Sequence, residues 1–274
     1  MLKTYNMILH KTNKTVILFF ITILIVGCDK LFEFSPYQAN VKEDCKNTTA
    51  KNLQLIKDIQ IDSDTFKFAL ITDNHYHYDN LKTVIEDINK KPDVLFVIFG
   101  GDIADQALLK EYEIFYNIMD NLNKPYITVI GNHDYNSNGE VVYQQMFGSY
   151  NYSFVFNQNK FIIFDDIVWE SNKNPDFNWL SKQLSDNEKF KQVFVIAHIP
   201  PFTDQFDTNM EQTYKTLMSD NNVQLSIHGH VHSYSFGIVY HDSVNYLTVP
   251  WLKKSTYCIV NVYSKSFEID LIEL

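Results

Sequence analysis

The chain has 274 residues, of which 45% are hydrophobic and 20% charged, so it is long enough to bury a substantial core. Only 8 residues are glycine and 7 are proline, which excludes collagen-like and low-complexity chains. The net charge is −10, and all 23 basic residues are lysine. A chain this acidic is not expected to bind nucleic acids non-specifically, and without arginine it cannot form a bidentate guanidinium clamp on a phosphate.

The first 27 residues have the composition of an export signal. Residues 1–14 contain lysines and no acid, and residues 15–27 are an almost wholly apolar run. This run is too short to span a membrane, which takes ~20 residues, but it fits the core of a signal peptide. It ends at Cys28, and residues 25–28 resemble the lipobox of bacterial lipoproteins. We therefore expect a signal peptide at 1–27, a lipid on Cys28 and an exported protein anchored to the bacterial cell envelope. The alternative is an uncleaved anchor helix.

Residues 28–60 mix Lys, Asp, Asn and Thr without a clean hydrophobic period, and we expect them to be a tether leading into one domain at 61–274. Besides Cys28, the chain has only two cysteines, Cys45 and Cys258. In an oxidising compartment these two could form a disulfide, but free thiols are at least as compatible with the sequence.

From residue 65 onward, predicted strands and helices alternate. The strands are rich in β-branched and aromatic residues, whereas the helices carry apolar residues on one side. In chain order the predicted elements are strand 66–72, helix 81–89, strand 94–99, helix 108–122, strand 126–130, strands 152–156 and 161–164, helix 177–184, strand 193–197, helix 209–218, and strands 223–227, 236–240, 246–249, 257–262 and 266–271. This order predicts an α/β fold in which two sheets pack together with helices outside.

Five of the predicted strands end in aspartate, asparagine or histidine. Because the carboxyl ends of strands in an open α/β sheet share one edge, these side chains are expected to lie together. Imidazole, carboxylate and amide groups without a thiolate favour Zn, Mn, Fe or Ni, and two such ions ~3.5–4 Å apart suit phosphoryl chemistry. The residues concerned are Asp73 and His75, Asp102 and Asp105, Asn132, His133 and Asp134, His198, and His230 and His232.

In order along the chain, these residues form the motifs DxH, GDxxD, GNHD, a lone histidine and GHxH. The five motifs together resemble those of the calcineurin-like metallophosphoesterase family. The resemblance implies a four-layer αββα sandwich, in which two mixed β-sheets are flanked by helices. It also implies an enzyme that hydrolyses phosphate esters with two divalent metal ions, through in-line attack by a hydroxide that bridges the metals.

The same resemblance assigns a role to each residue of the motifs. His133 would lie beside the substrate phosphate and stabilise its charge or protonate the leaving alkoxide. Asp105 would orient the His133 imidazole, and Asp134 is expected to brace the loop. The seven metal ligands implied are Asp73, His75 and His232 at one metal, Asn132, His198 and His230 at the other, and Asp102 as the bridge.

The sequence differs from two other branches of the family at positions beside the motifs, and these differences narrow the range of expected substrates. Asp105 occupies the place where purple acid phosphatases carry a tyrosine ligand, and Gln106 the place where protein Ser/Thr phosphatases carry an arginine. Since no guanidinium can neutralise a dianionic monoester, we expect phosphodiesters to be the preferred substrates. Two alternatives remain: a phosphomonoesterase, and a surface lipoprotein that holds metal for binding or scaffolding without catalysis.

Overall fold

The strands pair into two mixed β-sheets, one of five strands and one of six. This arrangement is seen in a computed structural model that describes residues 35–274. Residues 39–274 form one compact unit. Within the described part of the chain, no helix is long and apolar enough to cross a membrane. The predicted signal peptide and Cys28 lie outside the described residues.

All the predicted strands and helices are present, with small shifts at their ends. The strands are β1 (Phe66–Ile71), β2 (Val94–Phe99), β3 (Tyr126–Thr128), β4 (Tyr152–Phe156), β5 (Asn159–Ile163), β6 (Val193–Ile196), β7 (Leu225–His228), β8 (Ser235–Ile238), β9 (Asn245–Thr248), β10 (Thr256–Val262) and β11 (Phe267–Glu273). The helices are α1 (Thr48–Asp58), α2 (Tyr78–Asn89), α3 (Leu109–Met119), α4 (Gly139–Met146), α5 (Phe177–Leu184) and α6 (Thr208–Asp220). Of these, α1 and α4 were not predicted.

The two sheets have the strand orders β11-β10-β1-β2-β3 and β4-β5-β6-β7-β9-β8. In the first sheet β1, β2 and β3 are parallel, with Phe68 opposite Phe96, and β10 runs antiparallel to β1. In the second sheet β5, β6, β7 and β9 are parallel to one another. The carboxyl ends of the parallel strands in each sheet therefore share one edge, as the sequence analysis expects.

The side chains of a strand point alternately to opposite sides of its sheet, so both faces of each sheet carry apolar residues. Both faces are covered in this structure. Along β1, Phe68 and Leu70 pack against the second sheet, whereas Ala69 and Ile71 pack under helices. Aromatic rings fill much of the space between the sheets, and Phe68 stacks on Phe96 with ring centroids 5.4 Å apart. Helices α2, α3 and α4 cover the first sheet, and α5 and α6 cover the second. The result is the four-layer αββα sandwich that the resemblance implies.

The segment before β1 differs from the tether expected at 28–60. Residues 48–58 form α1, and Ile56 on this helix is 1% exposed, in the core between the sheets. The side-chain oxygen of Asn52 accepts a hydrogen bond from the backbone N–H of Tyr126, at the start of β3, at 3.1 Å. Most buried positions of α1 are polar, so no hydrophobic period marked the helix. The structure therefore corrects the start of the compact unit from residue 61 to residue 39.

The two cysteines of the compact unit are free thiols in different parts of the core. Cys45 packs with the residues between the first sheet and its helices, whereas Cys258 lies between the two sheets. The intervening first sheet separates the two sulfur atoms. Of the two alternatives left open by the sequence, the structure has free thiols.

Candidate metal centre

The loops at the carboxyl edge hold their polar residues in an uncommon backbone conformation. A left-handed φ costs a non-glycine residue of order 1–3 kcal/mol and persists only where the surroundings fix it. Here the backbone N–H of Asp73 donates to the carbonyl of Gly101, and that of Asn74 to the carbonyl of Asp102, each at 3.0 Å. Such strain is typical of a functional site. Among the residues of the five motifs, those with φ between 45° and 64° are Asp73, His75, Asp102, His230 and His232.

Two glycines allow these loops to approach one another closely. Gly101 has a φ of 104°, and a Cβ at this position would overlap the imidazole of His198. A Cβ on Gly131 would overlap the carboxylate of Asp102. Because only glycine fits at both positions, the loops after β2, β3 and β6 can bring their polar side chains into contact.

Asp73, His75 and His232 form the first of the candidate ligand groups, in which the ligand atoms all lie within 4.8 Å of one another. The Nε2 atom of His232 is 3.2 Å from Asp73 Oδ1 and 3.4 Å from His75 Nε2. Asp73 is fully buried, and His75 is nearly so. These are the three residues expected at one metal, and the structure brings them together.

Asp73, Asp102 and His198 form a second group of the same size. His198 Nε2 lies 3.3 Å from Asp102 Oδ2 and 4.0 Å from Asp73 Oδ1. The same Asp102 oxygen is 3.7 Å from His75 Nε2, in the first group. The Asp102 carboxylate therefore lies between the two groups, which is where a bridging ligand would lie.

Asn132 and His230 complete the set of seven expected ligand residues. Asn132 Oδ1 lies 3.1 Å from His230 Nδ1, and the backbone N–H of His230 donates to Asp73 Oδ2 at 3.2 Å. The rings of His230 and His198 meet edge to face, with centroids 5.5 Å apart. All seven residues thus lie at one place on the sheet edge.

The donor set of this edge fits divalent metals, because some buried ligand atoms make no hydrogen bond in the described chain. Asp73 Oδ1 and His198 Nε2 are both buried, and neither makes a hydrogen bond within residues 35–274. The Nδ1–H of His198 donates to the carbonyl of Gly100 at 2.8 Å, which leaves Nε2 as the nitrogen with a free lone pair. Buried polar atoms without a partner are costly, and a bound cation would remove that cost.

The electrostatics of the edge also favour positive charge. Burial alone would lower the pKa of His198, but the carboxylates of Asp102 and Asp73 raise it to about 10. Burial alone would raise the pKa of Asp102, but the neighbouring His198 and then His133 hold it below its usual range. Carboxylates that stabilise a protonated imidazole would equally stabilise a divalent cation.

His133 is the expected substrate-facing histidine, and it lies beside the ligand groups with its side chain 36% exposed. Its backbone N–H donates to Asp102 Oδ1 at 2.9 Å, and its ring meets that of His75 edge to face. Its Nδ1–H donates to the backbone carbonyl of Asp105 at 2.9 Å. The Asp105 carboxylate is 3.6 Å from His133 Nδ1 but 3.2 Å from His75 Nδ1. Asp105 therefore contacts His133 mainly through its carbonyl, and its carboxylate lies nearer His75.

Comparison with known proteins identifies the family. The sequence profile of the calcineurin-like phosphoesterases matches residues 66–234, more than half of the chain. The chain belongs to this family. It is therefore a metal-dependent hydrolase of phosphoric esters.

Individual relatives of this calcineurin-like phosphoesterase are distant. A probable cyclic nucleotide phosphodiesterase of Xenorhabdus bovienii is 27% identical over 174 residues, or 57% of this chain and 69% of that protein. A probable glycerophosphodiester phosphodiesterase of Arcobacter nitrofigilis is 31% identical over 133 residues, or 43% of this chain and 45% of that protein. The crystal structure of a dimetal phosphatase from Danio rerio has a TM-score of 0.64 at 14% identity, covering 76% of this chain and 96% of that one. This last likeness is one of fold.

Asp134 braces the loops of the phosphoesterase, as the sequence analysis expects. It is fully buried, and its carboxylate accepts backbone N–H groups from Gly131 at 3.0 Å, Ile103 at 3.2 Å and Ala104 at 3.1 Å. The hydroxyl of Tyr112 donates to it at 3.0 Å. Asp134 thus ties the loop after β3 to the loop after β2.

Two residues that contact the ligand groups were missed by sequence reasoning. Asp166 is fully buried after β5 and accepts the backbone N–H of His198 at 3.2 Å, and burial raises its pKa to about 8. Its place at a strand end was the signal that could have found it. Glu170 accepts the Nδ2–H of Asn132 on its Oε1 at 3.0 Å, and its Oε2 is buried without a hydrogen bond in the described chain. No pattern marks Glu170, because this contact depends on the path of an irregular loop.

Proposed function

We propose that this phosphoesterase is a dinuclear enzyme that hydrolyses phosphodiesters in preference to phosphomonoesters. The observation that carries the proposal is the position of the Asp102 carboxylate between the two ligand groups, 3.3 Å from His198 and 3.7 Å from His75. The proposed ligands are Asp73, His75 and His232 at one metal, Asn132, His198 and His230 at the other, and Asp102 at both.

The chain positions the groups that act on the substrate. When bound, the two metals would supply Lewis-acid stabilisation of the phosphoryl oxygens and an acidified water. Asp102 accepts the backbone N–H of His133 and so fixes this residue beside the ligands. Because His133 Nδ1 donates to the Asp105 carbonyl, Nε2 is the nitrogen available to hold a proton for the leaving alkoxide or to contact a phosphoryl oxygen.

The charged groups at the carboxyl edge of the sheets favour a substrate whose reacting phosphate has a single negative charge. Asp73, Asp102, Asp105 and Glu170 bring carboxylates to it, and within the described chain the first three form ion pairs with histidines only. Within the described chain no lysine pairs with these three carboxylates, so the ligand groups themselves offer no lysine to offset the second charge of a monoester dianion. The relatives from Xenorhabdus bovienii and Arcobacter nitrofigilis are both named as probable phosphodiesterases, which supports the same preference.

The test uses the full chain in detergent, stripped of metal and reloaded with Mn²⁺. Hydrolysis of bis-p-nitrophenyl phosphate is compared with that of p-nitrophenyl phosphate, while bound metal is counted by mass spectrometry. We expect two metals per chain and a higher kcat/KM for the diester. A preference for the monoester would overturn the diester assignment alone. Metal binding without turnover of either ester would instead favour a non-catalytic binding or scaffold protein.

We further propose that the protein is exported and anchored to the cell envelope through a lipid on Cys28. The support is the basic segment 1–14, the apolar segment 15–27 and the lipobox-like residues 25–28. Labelling with a radioactive fatty acid in a bacterial host tests this. The label should enter the wild-type chain and Cys45→Ala, and should be absent from Cys28→Ala. Equal labelling of Cys28→Ala would overturn the anchor.

A further inference from the structure

The loop between β9 and β10 lies against the metal centre on the side of His232. The backbone N–H of Leu252 in this loop donates to the carbonyl of Asp73 at 3.4 Å. The side-chain amide of Asn80 on α2 donates to the carbonyl of Lys253 at 3.2 Å. These contacts fix the loop between the first ligand group and helix α2.

The indole of Trp251 in this loop connects two histidines near the metal centre. It stacks on the imidazole of His232, with ring centroids 4.4 Å apart and planes 8° from parallel. The imidazole of His77 meets the indole edge to face, with centroids 5.4 Å apart. Trp251 therefore forms a wall beside the first ligand group and fixes the plane of the His232 ring.

Lys253 adds a positive charge to this wall. Its Nζ lies 4.8 Å from the centroid of the Trp251 indole, a distance at which an ammonium group is attracted to an aromatic face. Among the described residues, no carboxylate lies within 4.0 Å of this Nζ, although other lysines such as Lys173 and Lys191 have such partners. Lys253 is thus a cation at the rim of an acidic centre, in a chain that has no arginine.

We propose that Lys253, Trp251 and His77 form an anion subsite, which binds a second negatively charged group on one ester arm of the substrate. The inference rests on the proposed phosphodiesterase function and adds a substrate class to it. The indole stacks on His232, and the ammonium group of Lys253 lies over the same indole. The aromatic ring therefore lies between Lys253 and the metal ligands. Lys253 is thus placed to meet a group on an ester arm rather than the phosphoryl group under attack.

The opposite side of the metal centre carries the opposite charge. Glu170 contacts Asn132, in the second ligand group, and its Oε2 has no hydrogen bond within residues 35–274. The charge of this carboxylate repels an anionic arm. With Lys253 beside His232 and Glu170 beside Asn132, a diester that has one anionic arm is oriented across the centre in a single direction.

A pair of matched chromogenic diesters tests the subsite. Thymidine 5′-(p-nitrophenyl phosphate) is compared with the same ester carrying a 3′-phosphate, using the full Mn²⁺-loaded chain at low ionic strength. We expect a KM about 3- to 5-fold lower for the 3′-phosphorylated ester, which is the size of an exposed ion pair, and a smaller difference at high salt. In Lys253→Gln this advantage should disappear, while Lys253→Arg and the neighbouring Lys254→Gln should keep it. The ratio of the two KM values is the readout, because a general disturbance of His232 affects both esters alike.

A binding measurement separates failure of the subsite from failure of the proposed function. Calorimetry of thymidine 3′,5′-bisphosphate against thymidine 5′-phosphate repeats the comparison without turnover. An inactive protein that still prefers the bisphosphate through Lys253 supports the subsite and overturns only the proposed hydrolysis. Equal KM values and equal affinities in the wild-type chain overturn the subsite, as does a preference that Lys253→Gln retains.

Discussion

Two kinds of buried carboxylate meet at the carboxyl edge of the sheets, and they are satisfied in different ways. Asp134 is fully buried and accepts hydrogen bonds from three backbone N–H groups and the hydroxyl of Tyr112. Asp73 is equally buried, but its Oδ1 makes no hydrogen bond within the described residues. Asp102 lies between them in the chain and faces the imidazoles of His198 and His75.

The difference separates residues that hold the fold from residues that bind a ligand. Burial, and then the charge of Asp102, raise the pKa of Asp134, whereas His198 keeps the pKa of Asp102 below its usual range despite burial. Burying a charge without a partner is expensive, so the bracing carboxylate is satisfied inside the protein. In the ligand groups, by contrast, Asp73 keeps an oxygen that makes no hydrogen bond within the described residues and that a bound cation would satisfy.

The largest effect is expected from Asp102→Asn, which removes the charge shared by the two ligand groups. The amide keeps the shape of the side chain, but it neutralises the oxygens between the groups, so both metal affinities should fall by more than ~100-fold and hydrolysis should be lost. Metal content after dialysis against limiting Mn²⁺ measures this. The matched control is Asp93→Asn, which removes a surface carboxylate paired with Lys67 and should retain both metals. Wild-type affinity at both sites in Asp102→Asn would show that Asp102 is not a bridge.

His133→Ala should retain both metals and lose about 10²- to 10⁴-fold in kcat, because it removes a general acid without removing a ligand. Steady-state kinetics on bis-p-nitrophenyl phosphate, with metal analysis of the same samples, measures both quantities. The exposed His241→Ala serves as the control and should behave as the wild type. Wild-type turnover in His133→Ala would show that this histidine has no role in the reaction.

Stability of the metal-free protein should also distinguish the two kinds of carboxylate. Asp134→Ala leaves three buried N–H groups without their acceptor, at about 1–3 kcal/mol each, so the free energy of unfolding should fall by several kcal/mol. Asp73→Asn keeps an oxygen that can accept the backbone N–H of His230, so it should cost clearly less than Asp134→Ala. Urea unfolding of both variants without metal is the measurement. Equal losses would contradict the distinction.

The sequence predicts the strands and the polar residues at their ends, because local composition and glycine motifs are sufficient for both. Asp102 and His198 are far apart in the chain, and the rule that parallel strands end at one edge is enough to place them together. The 3.3 Å distance between their side chains depends on strand register and on the close approach at Gly101, which no local pattern specifies.

The parts that could not be predicted depend on contacts without a periodic signal. Helix α1 buries mostly polar positions against β3, so its sequence looks like that of a tether. Glu170 and Lys253 lie on irregular loops, and only the folded path of each loop brings them to the ligand groups. Asp166 had a signal at a strand end, but its role as acceptor for the loop after β6 needed the sheet order.

The smallest effect is expected at Glu170, which acts on a ligand through one hydrogen bond. Its Oε1 holds the Nδ2–H of Asn132, so the amide oxygen remains directed towards His230 and the second ligand group. In Glu170→Ala the amide can rotate and present its N–H₂ instead, which should weaken the second metal about 10-fold and leave the first unchanged. Glu170→Gln keeps an acceptor oxygen and should recover most of that affinity.

Titration of the metal-free chain with Mn²⁺, followed by electron paramagnetic resonance, resolves the two binding steps. Glu140→Ala, which removes a surface partner of Lys173, is the control for loss of a carboxylate. If Glu170→Ala binds both equivalents as tightly as Glu140→Ala does, the orientation of Asn132 does not depend on Glu170.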